Sequence, residues 1–160
     1  MRLPVREHSF VRVAEILRLQ TTYPLESQVV HLWTIDLSAD RDTLEYCNYL
    51  LSARERSLAQ RFVFDHDRCA YAAAHAALRC LLRLHGVDSA LEFELGRYGK
   101  PMLPHAVPVL HFNLSHAHGR ALVGLWRQPL GVDIEKERQV DVLEIAGNFF
   151  FHEELERIRT

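Results

Sequence analysis

The sequence predicts an α+β fold from a change of period along the chain. Between residues 41 and 86 the apolar residues recur at the three-to-four spacing of helices, and from residue 91 they alternate as in strands. A further strand-like run precedes the helices. At 160 residues the chain can form one sizeable domain or two small lobes sharing a core. A chain of this size buries roughly 70% of its unfolded surface, so neither a metal nor a disulfide is needed to hold it folded.

In chain order, Phe10, Val13, Ala14, Ile16 and Leu17 sit at helical spacing, which fits either a short amphipathic helix or part of an extended N-terminal arm. Gln28 to Leu37 (QVVHLWTIDL) is rich in β-branched and aromatic residues and reads as a strand. Residues 41–51 form a short helix with Leu44, Cys47 and Leu51 on one side. Ser52-Ala53-Arg54-Glu55 is a capping box that opens a helix through Phe62. Asp65 or Asp67 caps the longest helix, which runs to about His85 and stops at Gly86. Its buried stripe is Tyr71, Ala74, Leu78, Leu81 and Leu82, and Arg68, Arg79 and Arg83, at steps of eleven and four, share a face. LEFEL, VLHFNLS, ALVGLW and GVDIE are four strand-like runs separated by turns. Helices are expected again from Asp141 and from His152-Glu153.

Composition narrows the function. A formal charge of -2 and a pI near 6.5 argue against a broad polybasic surface, so no nucleic-acid partner is expected. No apolar run approaches the roughly 20 residues of a membrane helix, and the N-terminus lacks a signal-peptide pattern. Cys47, Cys69 and Cys80 form no CxxC pair, and Cys69 and Cys80, inside a helical apolar pattern, read as reduced, buried thiols. A cytoplasmic protein without a membrane partner is expected.

The strongest chemical signal is Gly131-Val132-Asp133-Ile134-Glu135. In a strand Asp133 and Glu135 share one face, about 6.5–7 Å apart, and repel by about 2–3 kcal/mol at an effective dielectric near 20. A divalent cation turns that repulsion into a site, since Mg²⁺ is typically held by one or two carboxylates plus phosphate oxygens. Alone, the pattern describes a half-exposed strand with solvated acids equally well. If VLHFNLS, ALVGLW and GVDIE form a meander, however, Asn113, Ser115 and His116 end the first strand at the same sheet end as the acids. Their amide, hydroxyl and imidazole groups suit phosphate oxygens, although they would also serve a polar turn. Arg97-Tyr98-Gly99-Lys100-Pro101 adds a glycine turn and a point charge. His111, His116 and His118 show no zinc-ligand spacing.

The order of these motifs resembles the 4′-phosphopantetheinyl transferases of the larger, Sfp-like (surfactin-type) class. The series runs from Glu55, Arg56, Ala59, Arg61, Phe62 and Phe64, through an Asp-Arg pair and a long helix ending in LRxLL. It continues with Gly99-Lys100-Pro101, Phe112-Asn113-Leu114-Ser115-His116, Gly131 to Glu135 and a Phe-Phe-x-x-x-Glu run. Roughly residues 29–156 are covered. The resemblance implies a pseudo-symmetric two-lobe fold, with residues 1–28 as an N-terminal arm, 29–129 as the first lobe and 130–160 as the incomplete start of the second. It implies Mg²⁺-dependent (or Mn²⁺-dependent) transfer of 4′-phosphopantetheine from coenzyme A to a serine of an acyl or peptidyl carrier protein, releasing 3′,5′-ADP. Asp133 and Glu135 would hold the metal. Coenzyme A would be contacted by Arg54 or Arg56, by Arg97, Gly99, Lys100 and Pro101, and by Asn113, Ser115 and His116.

Leu58 stands where the family often has a second basic residue. The family's later Trp-x-x-Lys-Glu motif does not occur, and EELERIRT continues a helical pattern to Thr160. The expectation is therefore a C-terminally truncated chain, poorly active alone and prone to self-association through Phe149-Phe150-Phe151. A non-catalytic CoA- or nucleotide-binding module and a pure interaction protein are the competing readings.

Overall fold

The computed structural model describes residues 4–22, 26, 28–88, 90–97, 99–104 and 110–137. A four-stranded mixed sheet with strand order β1-β2-β6-β5 carries helices on one face. The strands are β1 (Val5–Arg12), β2 (Val30–Asp36), β5 (His111–Ala117) and β6 (Arg120–Trp126), and a small hairpin pairs β3 (Glu94–Leu95) with β4 (Pro101–Met102). The helices are α1 (Val13–Ile16), α2 (Arg41–Leu50), α3 (Ala53–Ala59) and α4 (Asp65–Leu84).

Helix α4 organises the core because its inward stripe is continuous. Tyr71, Ala74, Leu78, Leu81 and Leu82 are all buried, as their spacing predicts, and each large aliphatic side chain contributes roughly 1.5–3 kcal/mol by leaving water. The other three helices and strands β5 and β6 pack on it. Ala121, Val123 and Leu125 of β6, and His31, Trp33 and Ile35 of β2, bury the facing side of the sheet. Gly86 ends the helix with φ +83, a conformation that L side chains rarely adopt, and Val87 N–H closes the turn on Leu82 O at 3.1 Å.

Several local expectations change. The first turn of α4 is preceded by Phe64, which makes no side-chain cap bond, rather than by Asp65 or Asp67. Those two acids lie inside the first turn, where negative charge meets the positive end of the helix dipole. Helix α3 has the capping box at Ser52 and Glu55 but ends at Ala59, with the chain turning before Phe62. Residues 5–12 pair in parallel with β2, the register shifting between His8 and Val11, so this part of the chain is an edge strand. Of LEFEL only Glu94 and Leu95 form ladder bonds, and GVDIE forms none. The expected meander is therefore absent, and residues 131–135 are held another way. The expected helices from Asp141 onwards and the three phenylalanines lie outside the described residues.

Arg79, on the same helical face as Arg68 and Arg83, is 2% exposed. Its Nε donates to Glu55 Oε2 at 2.7 Å, one terminal nitrogen donates to Leu91 O at 3.0 Å, and its guanidinium lies 4.7 Å from the Phe93 ring centre. Glu55, 5% exposed, also meets His75 Nδ1 at 3.0 Å and accepts from Ser52 N at 2.8 Å. Burial alone would raise its pKa; the bonds from His75, Arg79 and Ser52 outweigh that and hold it at about 2.

Two outcomes follow from these buried charges. Glu55→Ala leaves Arg79 uncompensated in the core and is expected to lower stability by about 3–5 kcal/mol, read from urea unfolding. For pH, burial chiefly lowers the pKa of His8, His31 and His116 below 6.5 in the folded protein. The unfolded chain then binds protons that the folded one refuses, so stability falls as pH drops below about 6.5. Glu55 adds a second loss below about 4.5, because its folded pKa lies near 2. A thermal-unfolding series from pH 8 to 3 should show both declines, the first reduced in His31→Phe.

Candidate functional site

Strand β5 presents the predicted site residues on two faces. Phe112, Leu114 and His116 pair with Leu125, Val123 and Ala121 of β6, whose side chains point at α4. Asn113 and Ser115 pair with Gly124 and Leu122 and project from the opposite face. The anticipated Asn-Ser-His corner is therefore split, since neighbouring strand residues point opposite ways.

On the face away from α4, residues 130–134 run across β5 and β6 without a backbone ladder. Asn113 Oδ1 accepts from Val132 N at 2.6 Å, and Ser115 Oγ accepts from Ile134 N at 3.3 Å. Ser115 Oγ also donates to Asp133 Oδ1 at 2.7 Å, and Lys100 Nζ donates to Leu130 O at 2.8 Å. Gly124 makes this crossing possible: a Cβ there would lie 2.7 Å from a methyl of Leu130 and 2.8 Å from one of Val132. The alternation expected of a strand persists, with Val132 and Ile134 half-buried and Asp133 and Glu135 exposed.

The acid pair is thus presented to solvent from a segment clasped by side chains. One Asp133 oxygen is engaged by Ser115 and the other has no protein partner among the described residues. No third His, Cys, Asp or Glu joins them among the described residues. Two carboxylates with open coordination suit Mg²⁺, which keeps several water or phosphate ligands, better than zinc, which takes a closed set of nitrogen and sulfur ligands.

On the α4 face, a cavity of about 280 Å³ opens between α3, α4, β5 and the β3–β4 hairpin. Arg54, Tyr71, His75, Phe93, Gly99 and His116 are among its lining residues. His116 lies edge-on to Tyr71, with ring centres 6.4 Å apart, and burial, followed by the neighbouring His75, lowers its pKa. Pro101 and Gly99 border the cavity, Gly99 with φ +78 in the turn that Gly96 N closes on Lys100 O at 2.9 Å.

The remaining candidates divide accordingly. Arg54 is exposed on α3 at the cavity rim, whereas Arg56 turns its guanidinium to Leu51 O. Arg97 is exposed in the hairpin turn and is not among the cavity residues. Reading the residues by type missed Glu55, His75 and Arg79. The available signal was Arg79 following the buried Leu78 inside an alanine- and leucine-rich run, which demands a buried acid.

No protein-family model matches the chain. Among curated proteins it is 34% identical over 142 residues to the 4′-phosphopantetheinyl transferase HetI of Nostoc sp., covering 85% of this chain and 60% of that protein. It is 33% identical over 102 residues to the 4′-phosphopantetheinyl transferase Sfp of Bacillus subtilis, covering 62% of this chain and 45% of that protein. To the 4′-phosphopantetheinyl transferase psf-1 of Bacillus pumilus it is 28% identical over 127 residues, covering 78% of this chain and 54% of that protein. The chain spans about half the length of these curated relatives, 45% to 60%, and the mixed sheet and four helices of its described residues are compatible with their fold. Over that shared part the chain is similar in sequence to 4′-phosphopantetheinyl transferases of Nostoc and Bacillus.

Proposed function

We propose that the chain carries the coenzyme A and metal sites of a 4′-phosphopantetheinyl transferase. The reaction is transfer of 4′-phosphopantetheine from coenzyme A to a serine of an acyl or peptidyl carrier protein. The serine oxygen attacks the phosphorus that bears pantetheine, the bond to the second phosphate breaks, and 3′,5′-ADP leaves as the serine proton goes to solvent. The observation that carries this reading is the Ser115–Asp133 bond at 2.7 Å. It fixes one acid of a metal-ready pair on the same strand whose other face borders a cavity.

Each group then has a physical task. Asp133 and Glu135 hold Mg²⁺ or Mn²⁺, which when bound neutralises charge on the diphosphate. Asn113 and Ser115, first read as phosphate ligands, work mainly through the backbone of residues 132 and 134 and through Asp133. Lys100 has three donor hydrogens, so it can hold Leu130 O and still meet a phosphate oxygen. Arg54 and His116 flank the cavity where the nucleotide end of coenzyme A would lie, with Gly99 and Pro101 as its wall; Arg97 supplies positive charge nearby. In this reading the described sheet and helices form one lobe of a pseudo-symmetric pair, and the second begins near residue 130. Free thiols at Cys47, Cys69 and Cys80 support a reducing, cytoplasmic setting. No helix among the described residues is long and apolar enough to cross a membrane.

Calorimetry with coenzyme A, with and without Mg²⁺, tests the site, and mass spectrometry of an apo carrier protein tests the reaction. Mg²⁺ should strengthen binding about tenfold, and Asp133→Asn should abolish that gain while leaving metal-free binding unchanged. Asn113→Ala loses one hydrogen bond, about 1 kcal/mol of positioning, and should reduce the Mg²⁺ gain about fivefold, whereas Ser115→Ala loses two and should remove the gain. Binding that ignores both Mg²⁺ and Asp133→Asn would refute the metal assignment. Mg²⁺-dependent binding without any gain of mass is the outcome expected of a chain that is poorly active alone, and a gain of mass on the carrier serine would overturn that expectation.

A further inference from the structure

The cavity wall contains a charged group that the proposed transfer does not use. Glu55 is buried behind it, with Oε2 taken by Arg79 Nε at 2.7 Å and Ser52 N at 2.8 Å. Oε1 is left to His75 Nδ1 at 3.0 Å. An ionised carboxylate can only accept, so Nδ1 must carry the hydrogen. The ring is fixed a second way by Tyr71, stacked on it with centres 4.0 Å apart and planes 25° from parallel. The other ring nitrogen, Nε2, lies at the opposite end of the imidazole from Glu55. The His75 side chain keeps 13% of its surface exposed and lines the cavity, so this nitrogen is not sealed in the core.

We propose that Glu55 and His75 form a positioning dyad that presents His75 Nε2 to the cavity as a fixed hydrogen-bond acceptor. In its uncharged form that tautomer rewards a ligand with an N–H donor at that point and leaves an unpaired lone pair against one without it. The surrounding Phe93, Leu95, Leu114 and Pro101 suit a flat ring. The selected ligand is therefore a heteroaromatic ring bearing an amino group. The identity of that ligand rests on the coenzyme A reading above; the tautomer does not. His75 is thereby a specificity-determining residue, and Glu55 acts through it.

The tautomer is read first, from nitrogen chemical shifts of His75 in the ligand-free chain at pH 8. Nδ1 should be of the protonated type and Nε2 of the unprotonated type. The reverse pattern overturns the dyad. Calorimetry then compares adenosine 3′,5′-bisphosphate with its analogue lacking the 6-amino group, on the native chain and on His75→Phe, which keeps a ring against Tyr71. The native chain should prefer the amine about tenfold, the size expected of one hydrogen bond, and His75→Phe should bind the two ligands within twofold of each other. Equal discrimination by both proteins, or none by the native chain, overturns the assignment of Nε2. Should the native chain bind neither nucleotide nor coenzyme A, the functional reading fails with its ligand, and the nitrogen shifts alone decide the dyad. A ratio of affinities is insensitive to a general loss of stability, which would weaken both ligands together.

Discussion

Glu55 keeps its charge in the core because Arg79, His75 and the Ser52 amide all converge on its two oxygens. That convergence ties the start of α3 to the middle of α4 and sets the wall of the cavity. A buried ion pair is weak evidence for stability, since well-packed apolar residues often do as well. What this one supplies is register. Helix α3 has only seven residues and would slide on α4 if apolar contacts alone held it. A carboxylate that must meet two particular partners has one acceptable position, and Arg54, its neighbour on α3, is placed with it.

Strand β5 divides the remaining chemistry. One face supplies His116 to the cavity, and the other supplies Asn113 and Ser115 to the segment bearing Asp133. A backbone ladder would have fixed residues 131–135 through alternating main-chain bonds and left Asn113 and Ser115 idle. Here the side chains replace the ladder, so the acid pair depends on particular residue types. That dependence explains why amide and hydroxyl residues stand at alternate positions of β5, and why Gly124 lies beneath Leu130 and Val132.

Local signals were the ones legible in the sequence. The capping box at Ser52 and Glu55, the stripe of α4 and the stop at Gly86 depend on residues within a turn or two of one another. The helix ends were less so: Phe64 precedes α4 because the chain enters it extended, leaving Asp65 and Asp67 inside the first turn. Strand β1 was obscure because its side chains are mostly exposed and it acquires meaning only beside β2. The alternation that put Asp133 and Glu135 on one side was read correctly, yet the same rule separates Ser115 from His116. Arg79 was grouped with Arg68 and Arg83 by helical angle, which cannot report that Glu55 waits at one level of the helix and solvent at the others.

The turn from Gly96 to Pro101 joins the two faces of β5. Gly99 and Pro101 border the cavity, while Lys100 between them reaches Leu130 O on the opposite side. Lys100 and Pro101 are successive residues facing opposite sides of β5, so one short turn serves both regions. Under the proposed function, the ligand that engages both is long, flat at one end and anionic in the middle. Coenzyme A has that order of parts: a base, a diphosphate and a flexible arm. The arrangement also explains why Gly99 adopts a positive φ. A side-chain-bearing residue there would resist the conformation that sends Lys100 one way and Pro101 the other, and the cavity would lose its link to the acids.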